Sequence, residues 1–352
     1  MILAPEAVPG GARFQHAAAG LMLATLALLP CAAARANDST TELAAGGLVL
    51  TTTADIEMRA EELHISPRQV RVSYRFYNAS PHDVKSVVAF PMPDITVADA
   101  AANLPLPTDD PENLLGFSTR VDGAPVKARV VQKVFARGAD RTADLDRLRV
   151  PLAPHLRTTD KALSQLRPGD GEEMRRLGLA DVEEYSVGRG LRKQLSPRWT
   201  LKTTHIWEQM FPAGKEVTID HSYKPSVGRS VQTALADPAA IDQPWLKDYM
   251  RKYCLDRDFM AAVERGRQSA GMSSGAPFSE ERISYLLSTG TNWAKPIGEF
   301  RLVVDKGDAA NLVSFCMDGA RRIGPTTYEV RKTDFLPQAD LNILILKRLR
   351  GR

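Results

Sequence analysis

The chain has 352 residues, a formal net charge of +4, 43% hydrophobic and 25% charged side chains, and only three cysteines. That composition is ordinary for a globular protein long enough for two domains of about 150 residues each, and it excludes a disordered, collagen-like or disulfide-dense scaffold. The basic residues are dispersed except at Lys347-Arg348-Leu349-Arg350-Gly351-Arg352, which reads as a solubilising end, so no stripe of positive charge marks a nucleic-acid partner.

The apolar run over 17–30 is too short for a membrane span but suits the core of an export signal. Two fates are open to Cys31: lipidation, or removal with the leader. Pro30 stands where lipidation needs a small residue, and Ala34-Arg35-Ala36 supplies the small side chains that signal peptidase accepts. Cleavage between Ala36 and Asn37 is therefore expected, giving a periplasmic or secreted protein with no transmembrane segment in the mature chain. The n-region is weakly positive, with Arg13 offset by Glu6. Loss of Arg13, Arg35 and Glu6 takes the formal charge from +4 to +3.

Cys254 and Cys316 alone remain after cleavage, and an even count in an oxidising compartment predicts one disulfide. It would close a loop of about 60 residues and restrict the unfolded chain. Neither cysteine has a Cys-x-x-Cys partner, so redox catalysis and structural zinc are not indicated.

Along the mature chain, 48–53 and 56–63 read as strands. In "QVRVSYRFYN" the residues Val70, Val72, Tyr74 and Phe76 alternate with Arg71, Ser73, Arg75 and Tyr77, a half-buried strand. "NASPHD" turns the chain into an apolar run over 84–90 that ends at Pro91-Met92-Pro93. Asn78-Ala79-Ser80 fits the glycosylation pattern but reads as a turn. Asp122-Gly123 between alternating arms is a hairpin signal. From 132 to 196 the leucines fall at helical spacings, predicting a helical insertion. Strands then resume at "TLKTTHIWEQMFPAGKEVTIDHSY", read as a hairpin around Pro212-Ala213-Gly214 with His205 facing His221 across the ladder.

After Gly228 a second unit is expected. Its first element is a helix over 245–265 with a stripe of Leu246, Tyr249, Met250, Tyr253, Cys254 and Met260, which puts Cys254 on the buried face. Five short strands follow, "RISYLL", "FRLVVD", "LVSFCMD", "TYEVRK" and "LNILIL", suggesting an antiparallel sheet or sandwich. The expected fold class is mainly β. It has two β-sandwich-like domains, 37–228 with the helical insertion and 229–352 with a packed helix, after a signal peptide at 1–36.

"VRVSYRFYNASPHDVKSVVAFPMPD", "FSTRVDGAPV" and "FPAGKEVTIDHSY" loosely resemble the strand-turn phrases of vault/inter-alpha-trypsin type β-sandwich domains, which implies fold alone. "NDSTTELAAGGLVLT", "VAFPMPDI" and "TGTNWAKPIGEFRLVVDKG" resemble a bacterial secreted family known only as domain of unknown function 4424, over essentially the whole mature chain. That resemblance implies export and carries no activity, cofactor or catalytic residue.

Chemistry-bearing motifs are few. Gly271-Met272-Ser273-Ser274-Gly275 fits the nucleophile-elbow pattern, but it follows a helix in a Ser/Gly/Ala-rich loop and reads as a connector. Trp293, in Gly290-Thr291-Asn292-Trp293, could stack on a sugar or peptide and reads first as a sandwich plug. His205 and His221 could share zinc or copper, but no third ligand lies nearby in sequence, and the alternative is amphipathic packing among Trp207, Ile219 and Tyr223. No catalytic residue and no cofactor is assigned, and the reading leans against an enzyme. The expected role is a non-catalytic binding or structural envelope module whose partner is an envelope protein or cell-wall component. The alternative is a metal-dependent enzyme or hydrolase built from residues distant in sequence.

Overall fold

The computed structural model describes residues 39–44, 47–50, 54–92, 94–96, 107–186, 190–237, 240, 242–270, 277–287 and 295–349, with side chains from residue 54 onward except at 185, 186, 191 and 270. The signal segment 1–36, the Gly271–Gly275 pentapeptide and Trp293 lie outside the described residues.

In chain order the strands begin with β1 (Ser39–Ala44), β2 (Gly47–Leu50), β3 (Ile56–Ile65), β4 (Val70–Asn78), β5 (Val84–Pro91) and β6 (Ile95–Thr96). Next come β7 (Ser118–Val121), β8 (Ala124–Val126), β9 (Arg129–Ala136) and β10 (Ala139–Asp140). Three helices, α1 (Thr142–Leu148), α2 (Arg157–Ser164) and α3 (Pro168–Leu177), precede β11 (Ala180–Ser186), β12 (Leu191–Pro197), β13 (Thr200–Phe211), β14 (Glu216–Tyr223) and β15 (Gly228–Ser230). Helices α4 (Pro244–Lys252) and α5 (Arg257–Ala270) lead into β16 (Phe278–Tyr285), β17 (Ile297–Asp305), β18 (Leu312–Phe315), β19 (Arg321–Arg322), β20 (Thr327–Phe335) and β21 (Leu341–Arg348). The protein is mainly β, as its alternating and apolar runs indicate.

One eight-stranded sheet, ordered β19-β20-β17-β3-β4-β14-β7-β8, organises the rest. Its inner face, which includes Val70, Val72, Tyr74 and Phe76 of β4 as the alternation predicts, buries two partners in one continuous core. Val88 and Phe90 of β5 with Trp207 and Phe211 of β13 come from a seven-stranded sheet. Ile283 and Tyr285 of β16 with Ile343 and Ile345 of β21 come from the four-stranded sheet β15-β16-β21-β18. Strand β21 is apolar without alternation because both its faces are covered: Leu344 and Leu346 point to the other side, against Leu246, Tyr253, Phe259 and Val263 of the α4–α5 layer.

The five C-terminal strands divide between two sheets. β16, β18 and β21 join the four-stranded sheet, while β17 and β20 extend the eight-stranded one, with β17 running parallel to β3. Strand pairing thus links segments on either side of Gly228. A bulge between Met58 and Ala60 in β3 places the main-chain carbonyl of Arg59 beside Gly298 of β17, where an added Cβ would lie 2.7 Å from that oxygen.

Three expectations are corrected. The helical insertion is narrower than 132–196: only α1 to α3 are helical, and they are flanked by β9, β10 and the β11–β12 hairpin. The leucine spacings mark the right faces, since Leu145, Leu163 and Met174 pack with Val134, Trp199 and Leu201, but strand residues adjoin them on both sides. The single helix over 245–265 is two helices. The chain breaks where Cys254 adopts φ 50°, and Asp256 accepts a hydrogen bond from Phe259 N (2.7 Å) to restart it. Cys254 is consequently exposed rather than on the buried face. It nevertheless lies at disulfide distance from Cys316, with Cα atoms 5.1 Å apart.

The third correction concerns "FPAG". β13 pairs with β5 and β9 in the seven-stranded sheet, and β14 pairs with β4 and β7 in the eight-stranded one, so the turn is an arch between sheets rather than a hairpin. β4 and β5 are joined by a similar arch at the same end. The Asp122-Gly123 turn is the expected hairpin, with φ 47° and 80° and β7 paired to β8.

Candidate functional site

Strand alternation sends every second side chain of the eight-stranded sheet outward, and pairing registers line those side chains up across the strands. One row runs Arg331, Arg301, Glu62, Ser73, Asp220, Arg120 across β20, β17, β3, β4, β14 and β7. The adjacent row runs Glu329, Val303, His64, Arg71, Ser222, Ser118 across the same strands. Rows on one face stand about 7 Å apart along the strand and neighbours about 5 Å apart across it. Between the two rows opens a cleft of about 430 Å³, walled by Glu62, His64, Arg71, Ser73, Asp220, Ser222, Arg120 and Arg301. A hollow of about 400 Å³ continues past Arg301 to Glu299 and Arg331.

The charges on this face are unevenly satisfied. Arg301 reaches Glu329 (2.7 Å) and Glu62 (3.4 Å), Arg331 reaches Glu329 (3.0 Å), Arg75 reaches Glu299 (3.1 Å), and Arg59 reaches Glu216 (3.3 Å). Hydrogen bonds from Arg331 and Arg301 hold the Glu329 carboxyl down to about 2. By contrast, Arg71 and Arg120 have no carboxylate partner among the described residues. Arg120 donates only to the Gly123 carbonyl (3.1 Å). Asp220, directly opposite Arg120 in the register, accepts no hydrogen bond and makes no ion pair among the described residues. His64 titrates below the ordinary histidine value, first because it is partly buried and then because the Arg71 guanidinium stands near it.

His205 and His221 are brought together, though by a route different from the expected one. They belong to facing sheets and meet inside the core, where the Phe117 ring lies 4.5 Å from the His205 ring and 5.2 Å from that of His221. Phe90, Trp207 and Tyr74 also pack on His221. His205 Nε2 and Trp207 Nε1 have no hydrogen-bond partner among the described residues. Burial, reinforced by the charge of His221, pushes His205 down to about 4, so it is neutral at physiological pH. No group of three His, Cys, Asp or Glu side chains able to hold a metal ion occurs among the described residues.

One further polar cluster is fully paired. Buried Glu280 accepts from Thr233 (2.7 Å), Tyr249 (2.9 Å) and Arg282 (2.6 Å), docking α4 onto β16. Its members lie on elements far apart in sequence, which hid it from periodicity. The outward phase of β4 was legible as Arg71, Ser73 and Arg75, but the residues it lines up with depend on non-local register.

Fold and site define a mainly-β protein with a charged, open sheet face. The chain belongs to the DUF4424 family, a domain of unknown function, whose model matches residues 36–344. It is also similar to a protein of Claviceps purpurea (strain 20.1) named "Methyltransferase", 29% identical over 161 residues, covering 41% of this chain and 49% of that protein. The chain thus spans about half the length of that curated relative. A crystal structure described as a candidate nutrient binding protein of Legionella pneumophila superposes with a TM-score of 0.41 at 16% identity, covering 84% of this chain and 68% of that one.

Proposed function

We propose that the chain is an exported, periplasmic envelope protein that works by binding rather than by catalysis, and that the cleft on the outer face of the eight-stranded sheet is where it binds. The cleft carries this reading: it is concave, lies on strands, and presents the guanidinium groups of Arg71 and Arg120 and the carboxylate of Asp220, none of which makes an ion pair among the described residues. The leader expected to end at Ala36 and the pairing of Cys254 with Cys316 support an oxidising compartment. No helix among the described residues is long and apolar enough to cross a membrane. The partner is an envelope protein or a cell-wall component.

The test uses the mature chain from Asn37 as bait in a native envelope extract, beside a Ser73→Tyr variant that fills the cleft from the outward phase of β4. Specific retention by the parent and its loss in the variant is the expected result. Equal retention by both contradicts the reading. So does stoichiometric zinc or copper that vanishes in a His205→Ala/His221→Ala variant, which would favour a metal-dependent enzyme.

A further inference from the structure

Six arginines sit on the strands β3, β4, β7, β17 and β20 of the central sheet, and four of them, Arg59, Arg75, Arg301 and Arg331, are bonded to carboxylates. The two that are not, Arg71 and Arg120, both wall the same cleft, from strands on either side of β14. Each is mounted on a strand rather than a loop, so the backbone already fixes the span between them. Arginine side chains are long and carry five donors, so Arg71 and Arg120, which keeps one donor on the Gly123 carbonyl, can both turn toward the space over Ser222 and Asp220 from opposite sides.

We propose that Arg71 and Arg120 form a clamp for a small oxyanion, a carboxylate or phosphate group carried by the ligand of this cleft. The assignment rests on the binding reading above and names its ligand class. A guanidinium fork matches the oxygens of either group through two parallel hydrogen bonds, and that bidentate geometry is stronger and more directional than an ammonium contact. The hydroxyls of Ser73 and Ser222 line the floor and can donate to remaining oxygens, while that of Ser118 already donates to the Ser222 carbonyl (3.5 Å). His64 lines the same wall beside Arg71, and partial burial followed by the nearby guanidinium lowers its pKa. Asp220 sits between the two arginines and repels the anion, so it weakens the clamp for every oxyanion and favours ligands that also bring a donor for its carboxylate.

That arrangement gives the experiment a sign that a structural role would not reproduce. Titration of the mature protein with inorganic phosphate and, separately, with succinate, followed calorimetrically at low ionic strength, should show saturable binding. Arg71→Met should weaken it by about tenfold, the loss of one bidentate charged contact. Asp220→Asn should tighten it for both probes, because removal of a like charge helps an anion. Binding of phosphate alone identifies a phosphoryl ligand, and binding of succinate alone a carboxylate; either supports the clamp. Absence of binding by both probes, or affinities unchanged in Arg71→Met and in Asp220→Asn, overturns it. Should Ser73→Tyr release an envelope partner while neither anion binds, the binding reading stands and the oxyanion assignment alone falls.

Discussion

The side-chain amide of Asn78 donates to the main-chain carbonyl of Phe211 (2.8 Å), joining two arches 133 residues apart. The same amide donates to the carbonyl of His82 (2.7 Å), and the amide oxygen accepts from Ser80 N (2.9 Å). The main chain of Asn78 closes the link, accepting from Gly214 N (3.1 Å) and donating to Lys215 O (3.2 Å). Asn78 is fully buried, so it serves as the pin where β4–β5 and β13–β14 both cross between sheets. Replacing it with Ala strands the buried Phe211 carbonyl, while the exposed His82 carbonyl keeps Ser80 Oγ as donor, and should cost about 1–3 kcal/mol. Urea unfolding checks this: the midpoint should fall with the slope unchanged.

Cys254 and Cys316 enclose 62 residues of separation and tie the α4–α5 junction to the end of β18. On the chain-entropy account, closing a loop of that length restricts the unfolded state by about 4 kcal/mol. Cys254→Ser/Cys316→Ser protein should unfold at correspondingly lower urea, and dithiothreitol should destabilise the parent but leave the double variant unaffected.

His205 gives a pH dependence of defined sign. Its folded pKa, about 4, lies below the ordinary 6.5, so the unfolded state takes up the proton first. Stability is therefore complete above about pH 6.5 and declines as pH falls through that value toward 4, by up to about 3 kcal/mol. His64 and His155, also lowered by burial, act in the same direction. A His205→Phe variant, with a ring that can stack on Phe117, should show a flatter decline between pH 6.5 and 4 in parallel denaturation curves. An identical slope in parent and variant would contradict the assignment.

Gly298 should not tolerate a side chain, because the Arg59 carbonyl at the β3 bulge occupies the place of its Cβ. Gly298→Ala is expected to cost about 1–3 kcal/mol by forcing the parallel β17–β3 pair apart. Gly169→Ala, in open space in α3, should be neutral or slightly stabilising. Thermal denaturation of the two variants side by side gives the comparison.

Local pattern sufficed where one strand face is buried and the other wet. The alternation at Val70, Val72, Tyr74 and Phe76 and the Asp122-Gly123 turn both appear as their chemistry dictates. What sequence spacing missed was decided by distant pairing. "FPAG" has hairpin composition, yet Phe211 and Val217 are both buried in the same core, which an arch permits and which Asn78 secures from another part of the chain. The helix break at Cys254 was masked because Tyr253 and Met260 keep an apolar spacing across it. The cleft was half visible: Arg71 and Ser73 show in the polar phase of β4. Their neighbours Asp220 and Arg120 are aligned only by ladders between strands about 150 and 50 residues away.

The central proposal, that the chain acts outside the cytoplasm, is tested most directly by intact-mass analysis of the native protein after thiol alkylation without reduction. The expected species comes from the periplasmic fraction, begins at Asn37, and carries no alkyl group on Cys254 or Cys316. A full-length chain recovered from cytosol with both thiols alkylated would contradict it.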